Sequence, residues 1–179
     1  SANLNILGEP SFYVYSLSYS MNDFDEIIDL VDSNDNVISR APRYEVHKKG
    51  LMHRSVHILV FNCLGHLFLQ KRSLKKDESP GLWDTSAAGH LDLGEDYFHC
   101  ANRELKEELG ISVLMNEIMR IPAQLATLWE HVRVYQCITE QKIQINYREI
   151  SEGRFWTLSE MADSIESNPK NFTSTFHLL

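Results

Sequence analysis

The chain is short of cysteine, of positive charge and of long apolar runs. Its three cysteines, Cys63, Cys100 and Cys137, lie far apart and form no CxxC pair, which argues against a cysteine zinc site or a disulfide framework and for reduced thiols. No apolar run approaches the roughly 20 residues of a membrane span, and the N-terminus lacks the basic-then-apolar order of a signal peptide. A cytoplasmic protein without a membrane segment is the expectation. Lysine and arginine total 17 against 25 acidic residues, a formal net charge of -8, which opposes unaided binding to nucleic-acid polymers or anionic lipid. An anionic ligand would need cations to accompany it.

What is present suffices for one core. The 179 residues are 43% hydrophobic, enough for a single domain over residues 26–179. Residues 1–25 are rich in Ser, Tyr and Asn without sustained periodicity and read as an N-terminal extension. The stretch "EIIDLVDSNDNVISRAPR" reads as two strands around the turn-forming "DSNDN", because Asp and Asn satisfy their own backbone locally. "HRSVHILVFN" and "HLFLQKRS" read as a second hairpin, and "PGLWDTSAAGHLDLGE" as a loop rich in small residues. From Asp96 to Leu109, apolar Tyr97, Phe98, Ala101, Leu105 and Leu109 recur at helical spacing, and Gly110 supplies the stop. "QLATLWE", "HVRVYQCIT" and "GRFWTL" read as strands, and "LSEMADSIES" as an amphipathic helix before Pro169. Strands surround a central helix without regular βαβ alternation or an internal repeat, so the class is α+β, or mixed α/β.

That helix ends in "RELKEELG", and its glutamates present an electrostatic problem. Glu104 lies one turn from both Glu107 and Glu108, where like charges cost a few tenths of a kcal/mol per pair. All three sit near the negative end of the helix dipole, which disfavours them again. Glu104 and Glu108 also border the apolar stripe and should be partly buried. A solvated acidic face is the ordinary alternative, but a divalent cation explains all three features together, since Mg²⁺ or Mn²⁺ prefers carboxylates. Mg²⁺ so held usually shares its remaining positions with water and phosphate oxygens. The acidic chain could thus bind a small diphosphate through metal. Upstream, Gly89 and Gly94 let the backbone approach a ligand closely, and Arg103 is placed to pair with Glu95 or Glu107, or to form a plain surface ion pair.

Gly89, Glu95, Arg103, Glu104, Glu107, Glu108 and Gly110, with Ile111 behind them, reproduce the spacing GX5EX7REUXEEXGU. This resembles the Nudix box over residues 89–111; a chance match of its seven fixed residues is on the order of one in a million. From about residue 27 to about 175 the chain looks like the branch of that superfamily containing type I isopentenyl diphosphate isomerases and related hydrolases. The resemblance implies a mixed sheet sandwiched between helices, with the box as loop, helix and loop. It implies Glu104, Glu107 and Glu108 as metal ligands for Mg²⁺ or Mn²⁺, Arg103 and Glu95 as a supporting pair, Gly89 as a close backbone contact and possible dimerisation into a homodimer.

Two reactions compete within the resemblance. Hydrolases use metal to polarise a diphosphate and activate water; the isomerases shuttle protons on an alkene with a cysteine and a glutamate. The isomerase cysteine precedes the Gly-His of "SAAGH", where this chain has Ala88, a residue that cannot exchange a proton. The intact box favours a hydrolase over the isomerase and over a non-catalytic binding module. His47, His53 and His90 approximately match the isomerases' histidine ligands, with Glu130 and His131 as candidates on a later strand; structural histidine is the alternative. Trp83 reads either as a stacking surface for substrate, beside Gly89 and His90, or as a packing anchor. A general base could come from Glu149, Glu152, Glu107 or Glu108.

Overall fold

The computed structural model describes residues 26–179, so the extension read at residues 1–25 lies outside the described residues. Strands β1 (Ile27–Val31) and β2 (Val37–Pro42) form the first antiparallel hairpin. Its turn is closed by Asp32, whose carboxylate accepts from the backbone N–H of Asn34 and Asn36 at 2.8 and 2.9 Å. Helix α1 (Arg43–Lys49) follows and stops at Gly50 with φ of 60°. Two turns are too few for a readable apolar period, and the sequence gives no sign of this helix.

The main sheet has seven strands: β3 (His53–Phe61), β4 (Leu67–Arg72), β5 (Trp83–Asp84), β6 (Ala87–His90), β7 (Asn116–Ile121), β8 (Glu130–Ile138) and β9 (Ile150–Trp156). The core order is β5-β4-β3-β8-β7, with β6 on β3 and β9 on β4. β3 and β8 run parallel from His53 opposite Glu130 to Phe61 opposite Ile138, and the other pairs are antiparallel. The second hairpin is therefore present, but β4 holds β3 only at Val60 and Phe61. Over Ser55–Ile58 that edge belongs to β6. β4 and β6 part company along β3, and the sheet opens between them.

Helix α2 (Tyr97–Leu109) covers one face of the sheet. Asp96 caps it by accepting from the N–H of His99 at 2.9 Å, and Gly110 ends it at φ 69°, as the spacing predicts. Ala101, Leu105 and Leu109 bury against Val56, Ile58 and Val60. Phe98 departs from the expected stripe and is exposed. The other face carries Leu67, Leu69, Trp83, Trp156, Phe172 and Phe176, covered by Met161 and Ile165 of α3 (Leu158–Ser167). The result is a mixed sheet between helices, and no helix of the described residues is long and apolar enough to cross a membrane.

Three further readings need correction. "QLATLWE" is not a strand: Leu125–Thr127 is a 3₁₀ turn, closed by reciprocal hydrogen bonds between Gln124 and Thr127, and Leu128 and Trp129 follow at φ 54° and 67°. The loop at 80–95 contains β5 and β6. β7 lies where no strand is read from the sequence, because as an edge strand it is largely exposed and has no clean apolar alternation.

Leu105 is wholly buried between α2 and the sheet. Leu105→Ala is expected to destabilise the fold by about 2–5 kcal/mol, seen as a lower midpoint of urea unfolding at unchanged slope.

Candidate active site

The C-terminal half of α2 meets β6 at Gly89, and the fit is close. A β-carbon at Gly89 would lie 2.0 Å from Oε1 of Glu104 and 2.1 Å from its Cδ. Only glycine leaves room for that carboxylate against the strand. Arg103 organises the surroundings: its Nε and Nη2 donate to Glu95 at 3.0 and 2.8 Å, Nη2 donates to the carbonyl of His90 at 2.9 Å, and Nη1 donates to Glu104 at 2.7 Å and to Glu107 at 3.3 Å. Both pairings read from the sequence exist, and Glu104 is added to them. Glu108 is buried and accepts from Nε2 of Gln70 at 2.9 Å and from the N–H of Ala88 at 3.1 Å. Glu107 faces outward, its side chain 57% exposed.

Burial pushes the Glu104 carboxyl up to about 8, assisted by the neighbouring Glu108 charge and opposed by Arg103. Burial likewise raises Glu108, to about 7, against the opposing pull of Lys76 and of its hydrogen-bond donors. A buried and a half-buried carboxylate one turn apart, resisting ionisation in a cleft with a third carboxylate at its rim, are a donor set that suits Mg²⁺ or Mn²⁺. Those three side chains would hold the ion.

The carboxylates line a cleft of about 380 Å³. Gly89, His90, Arg103, Glu104, Glu107, Glu108 and Glu149 all line it. So do Arg72 and Lys76, which the sequence reading did not single out; the basic run "KRSLKK" following a strand was the available signal. Lys76 pairs with Glu149, and Arg72 donates to the carbonyl of Glu78 at 3.1 Å and to Asp84 at 3.5 Å. Two candidates lie elsewhere. Trp83 packs edge-on against Trp156, with ring centroids 5.0 Å apart, in the core under α3, so of its two readings the packing anchor describes its place. Glu152 lies on β9, its side chain 54% exposed and 3.8 Å from Lys71, and does not line the cleft.

At the other end of the cleft three imidazoles meet. The rings of His47, His53 and His90 stand 5.0 to 5.2 Å apart, centroid to centroid. Glu130 lies 3.1 Å from Nε2 of His90 and 3.6 Å from Nε2 of His53, and Glu78 lies 3.4 Å from Nδ1 of His47. His53 Nδ1 sits 2.8 Å from the carbonyl of Leu51, a contact that fixes a proton on Nδ1 and leaves Nε2 facing Glu130. Both ring nitrogens of His47 and Nε2 of His53 are buried without a hydrogen bond. Such nitrogens beside a carboxylate fit a transition-metal ion. Burial lowers His90 to about 3. Burial would raise Glu130, but the adjoining His53 and His90 hold it well below the usual carboxylate range. His131 takes no part: alternation along β8 turns it away, and its Nε2 lies 3.0 Å from the carbonyl of Asp32.

The box geometry and the split sheet decide the family together with sequence comparison. The family model for the NUDIX domain matches residues 51–176. The chain belongs to the Nudix family. An isopentenyl-diphosphate Delta-isomerase of Serratia proteamaculans is 34% identical over 157 residues, covering 85% of this chain and 88% of the relative. An uncharacterised Nudix hydrolase of Pseudomonas aeruginosa is 38% identical over 135 residues, covering 73% and 78%. Among solved structures, a Deinococcus radiodurans protein superposes with a TM-score of 0.71 at 26% identity, covering 80% of this chain and 90% of that one.

Two outcomes follow from this geometry. Because the folded-state pKa values of Glu104 and Glu108 are raised, the folded protein binds more protons than the unfolded chain, so the metal-free protein should lose stability as pH rises through 7 to 8. Thermal melts at pH 6 and pH 8 check this; Mn²⁺ should raise Tm more at pH 8, where the carboxylates are ionised. Gly89→Ala should displace Glu104 and weaken Mn²⁺ binding by about tenfold or more, measured by calorimetry.

Proposed function

We propose that this Nudix domain hydrolyses the diphosphate linkage of a small organic diphosphate with the help of Mg²⁺ or Mn²⁺. The observation that carries the proposal is the pairing of buried Glu108 with Glu104, whose side chain is 13% exposed, in a cleft that also contains Arg72 and Lys76. Carboxylates suited to a cation and cations suited to phosphate face the same space. A bound divalent ion would supply charge neutralisation on the phosphate oxygens and acidify a water molecule.

The chain's own residues do the rest. Arg72 and Lys76 bind phosphate oxygens and orient the linkage. Arg103 keeps Glu104 in place through Glu95 and the carbonyl of His90. The proton of the attacking water passes to Glu149 or Glu107, carboxylates of the cleft whose side chains are 36% and 57% exposed. Glu152, outside the cleft, does not serve.

Isomerisation of a prenyl diphosphate is the second reading, favoured by the likeness to isomerases and by the cluster of His47, His53, His90 and Glu130. It requires a proton-exchanging group where Ala88 stands. The neighbouring thiol does not replace it, because Cys100, on the buried face of α2, donates to the carbonyl of His90 at 3.3 Å and is pushed up by burial.

The protein is expected to release phosphorylated products from at least one member of a panel of nucleoside diphosphate derivatives and prenyl diphosphates with Mg²⁺ or Mn²⁺, followed by ³¹P NMR. Glu108→Gln should lower kcat by roughly two orders of magnitude or more without unfolding the chain. Deuterium uptake from solvent into isopentenyl diphosphate, with no hydrolysis of any panel member, would establish the second reading instead.

A further inference from the structure

We propose that the part of the cleft lined by Ser55 and His57 on one side and by Thr173 and Thr175 on the other is a subsite for a hydroxyl-bearing, sugar-like portion of the substrate. The assignment rests on the diphosphate reading above for the reaction it serves, and on the following geometry for the subsite itself.

Side chains alternate along β3, so His53, Ser55 and His57 share one face. His53 joins the imidazole cluster at one end. Ser55 and His57 continue the wall beyond it, opposite His90 and Ala88 of β6. Ser55 is only 2% exposed, and its Oγ has no hydrogen-bond partner. A buried hydroxyl in that condition is unfavourable until something bonds to it.

His57 is held in one tautomer. Its Nδ1 lies 2.8 Å from Oγ1 of Thr85, and that hydroxyl donates to the carbonyl of Ala87 at 3.3 Å. With the Thr85 proton on that carbonyl and the Asp84 carboxylate 3.7 Å from Nδ1, the proton is assigned to Nδ1. Nε2 keeps its lone pair and is an acceptor on a side chain that lines the cleft.

The opposite lip is the C-terminal segment, clasped in place by Asp84. The Asp84 carboxylate accepts from Oγ1 of Thr173 at 3.0 Å, and the N–H of Thr173 donates to the carbonyl of Trp83 at 3.0 Å. Phe172 and Phe176, on either side, are anchored in the core under α3. Thr175 is thereby fixed beside the cleft. An imidazole acceptor, a buried serine hydroxyl and a threonine form a donor and acceptor set for neutral hydroxyls. An apolar tail there would leave Ser55 and His57 unpaired, and a polar site discriminates strongly against ligands that lack its partners.

Calorimetry in the presence of Mg²⁺ with two probes, ribose 5-phosphate and n-butyl phosphate, tests the subsite. Ribose 5-phosphate is expected to bind about tenfold or more tightly than n-butyl phosphate, the yield of two or so hydrogen bonds. Ser55→Ala and Thr175→Val, both nearly isosteric, should each narrow that preference severalfold, and His57→Leu should narrow it further, with ribose 5-phosphate weakened and n-butyl phosphate bound at least as tightly as by the native protein. Equal affinities for the two probes, undetectable binding of both included, would overturn the subsite, as would a preference unchanged in the folded Ser55→Ala and Thr175→Val proteins. Absence of diphosphate turnover would remove the proposed reaction while leaving this preference measurable, so the two readings fail separately.

Discussion

The arrangement depends on an unfavourable contact held in place by the rest of the fold: near the negative end of α2, Glu108 is buried and Glu104, one helical turn away, is half-buried beside it. Neither carboxylate would sit there by its own preference. Leu105 and Leu109, on the same helix, bury against the sheet and set the rotation of α2, and that rotation carries the two glutamates inward with them. Arg103 then answers part of the charge, binding Glu95, Glu104 and Glu107 at once and tying the helix to the carbonyl of His90. Hydrophobic burial supplies the driving force, and the site inherits the electrostatic tension.

Space for chemistry comes from the way β3 shares its edge. Had β4 followed β3 along its whole length, the cleft would be filled by a continuous sheet. Instead β4 leaves after Val60, and β6 takes Ser55 to Ile58. The gap admits the end of α2 from one side and the C-terminal segment from the other. Gly89 sits at the tightest point, and the missing side chain there lets a helix carboxylate reach the strand.

One position separates two chemistries that this fold can host. With Ala88 on β6 that position directs a backbone N–H to Glu108 and offers no proton-exchanging side chain. The cluster of His47, His53, His90 and Glu130 persists nearby with unpartnered nitrogens. With the box carboxylates beside it, the site presents two donor sets of different character, carboxylate at one end and imidazole at the other.

The sequence by itself determined the parts whose causes are local. The spacing from Gly89 to Gly110 defines a capped helix with carboxylates at i, i+3 and i+4, and the Asp-rich turn after β1 closes through its own side chain. Helical spacing reveals α2 and α3, and β3, β4 and β8 are legible as β-rich apolar runs because both of their faces are largely covered. Edge strand β7, two-turn helix α1 and the 3₁₀ turn at Leu125–Thr127 were not legible, since they are stabilised by neighbours or by backbone geometry rather than by a repeating apolar pattern. Tertiary structure alone decided which distant residues share the cleft. It brought Arg72, Lys76, Ser55, His57 and Thr175 to the box, withdrew Trp83 into the core, left Glu152 on an exposed strand, and chose Glu130 over His131 by the two-residue alternation of β8. Pairing register and the packing of two faces settle those placements, and neither is a property of any one stretch of chain.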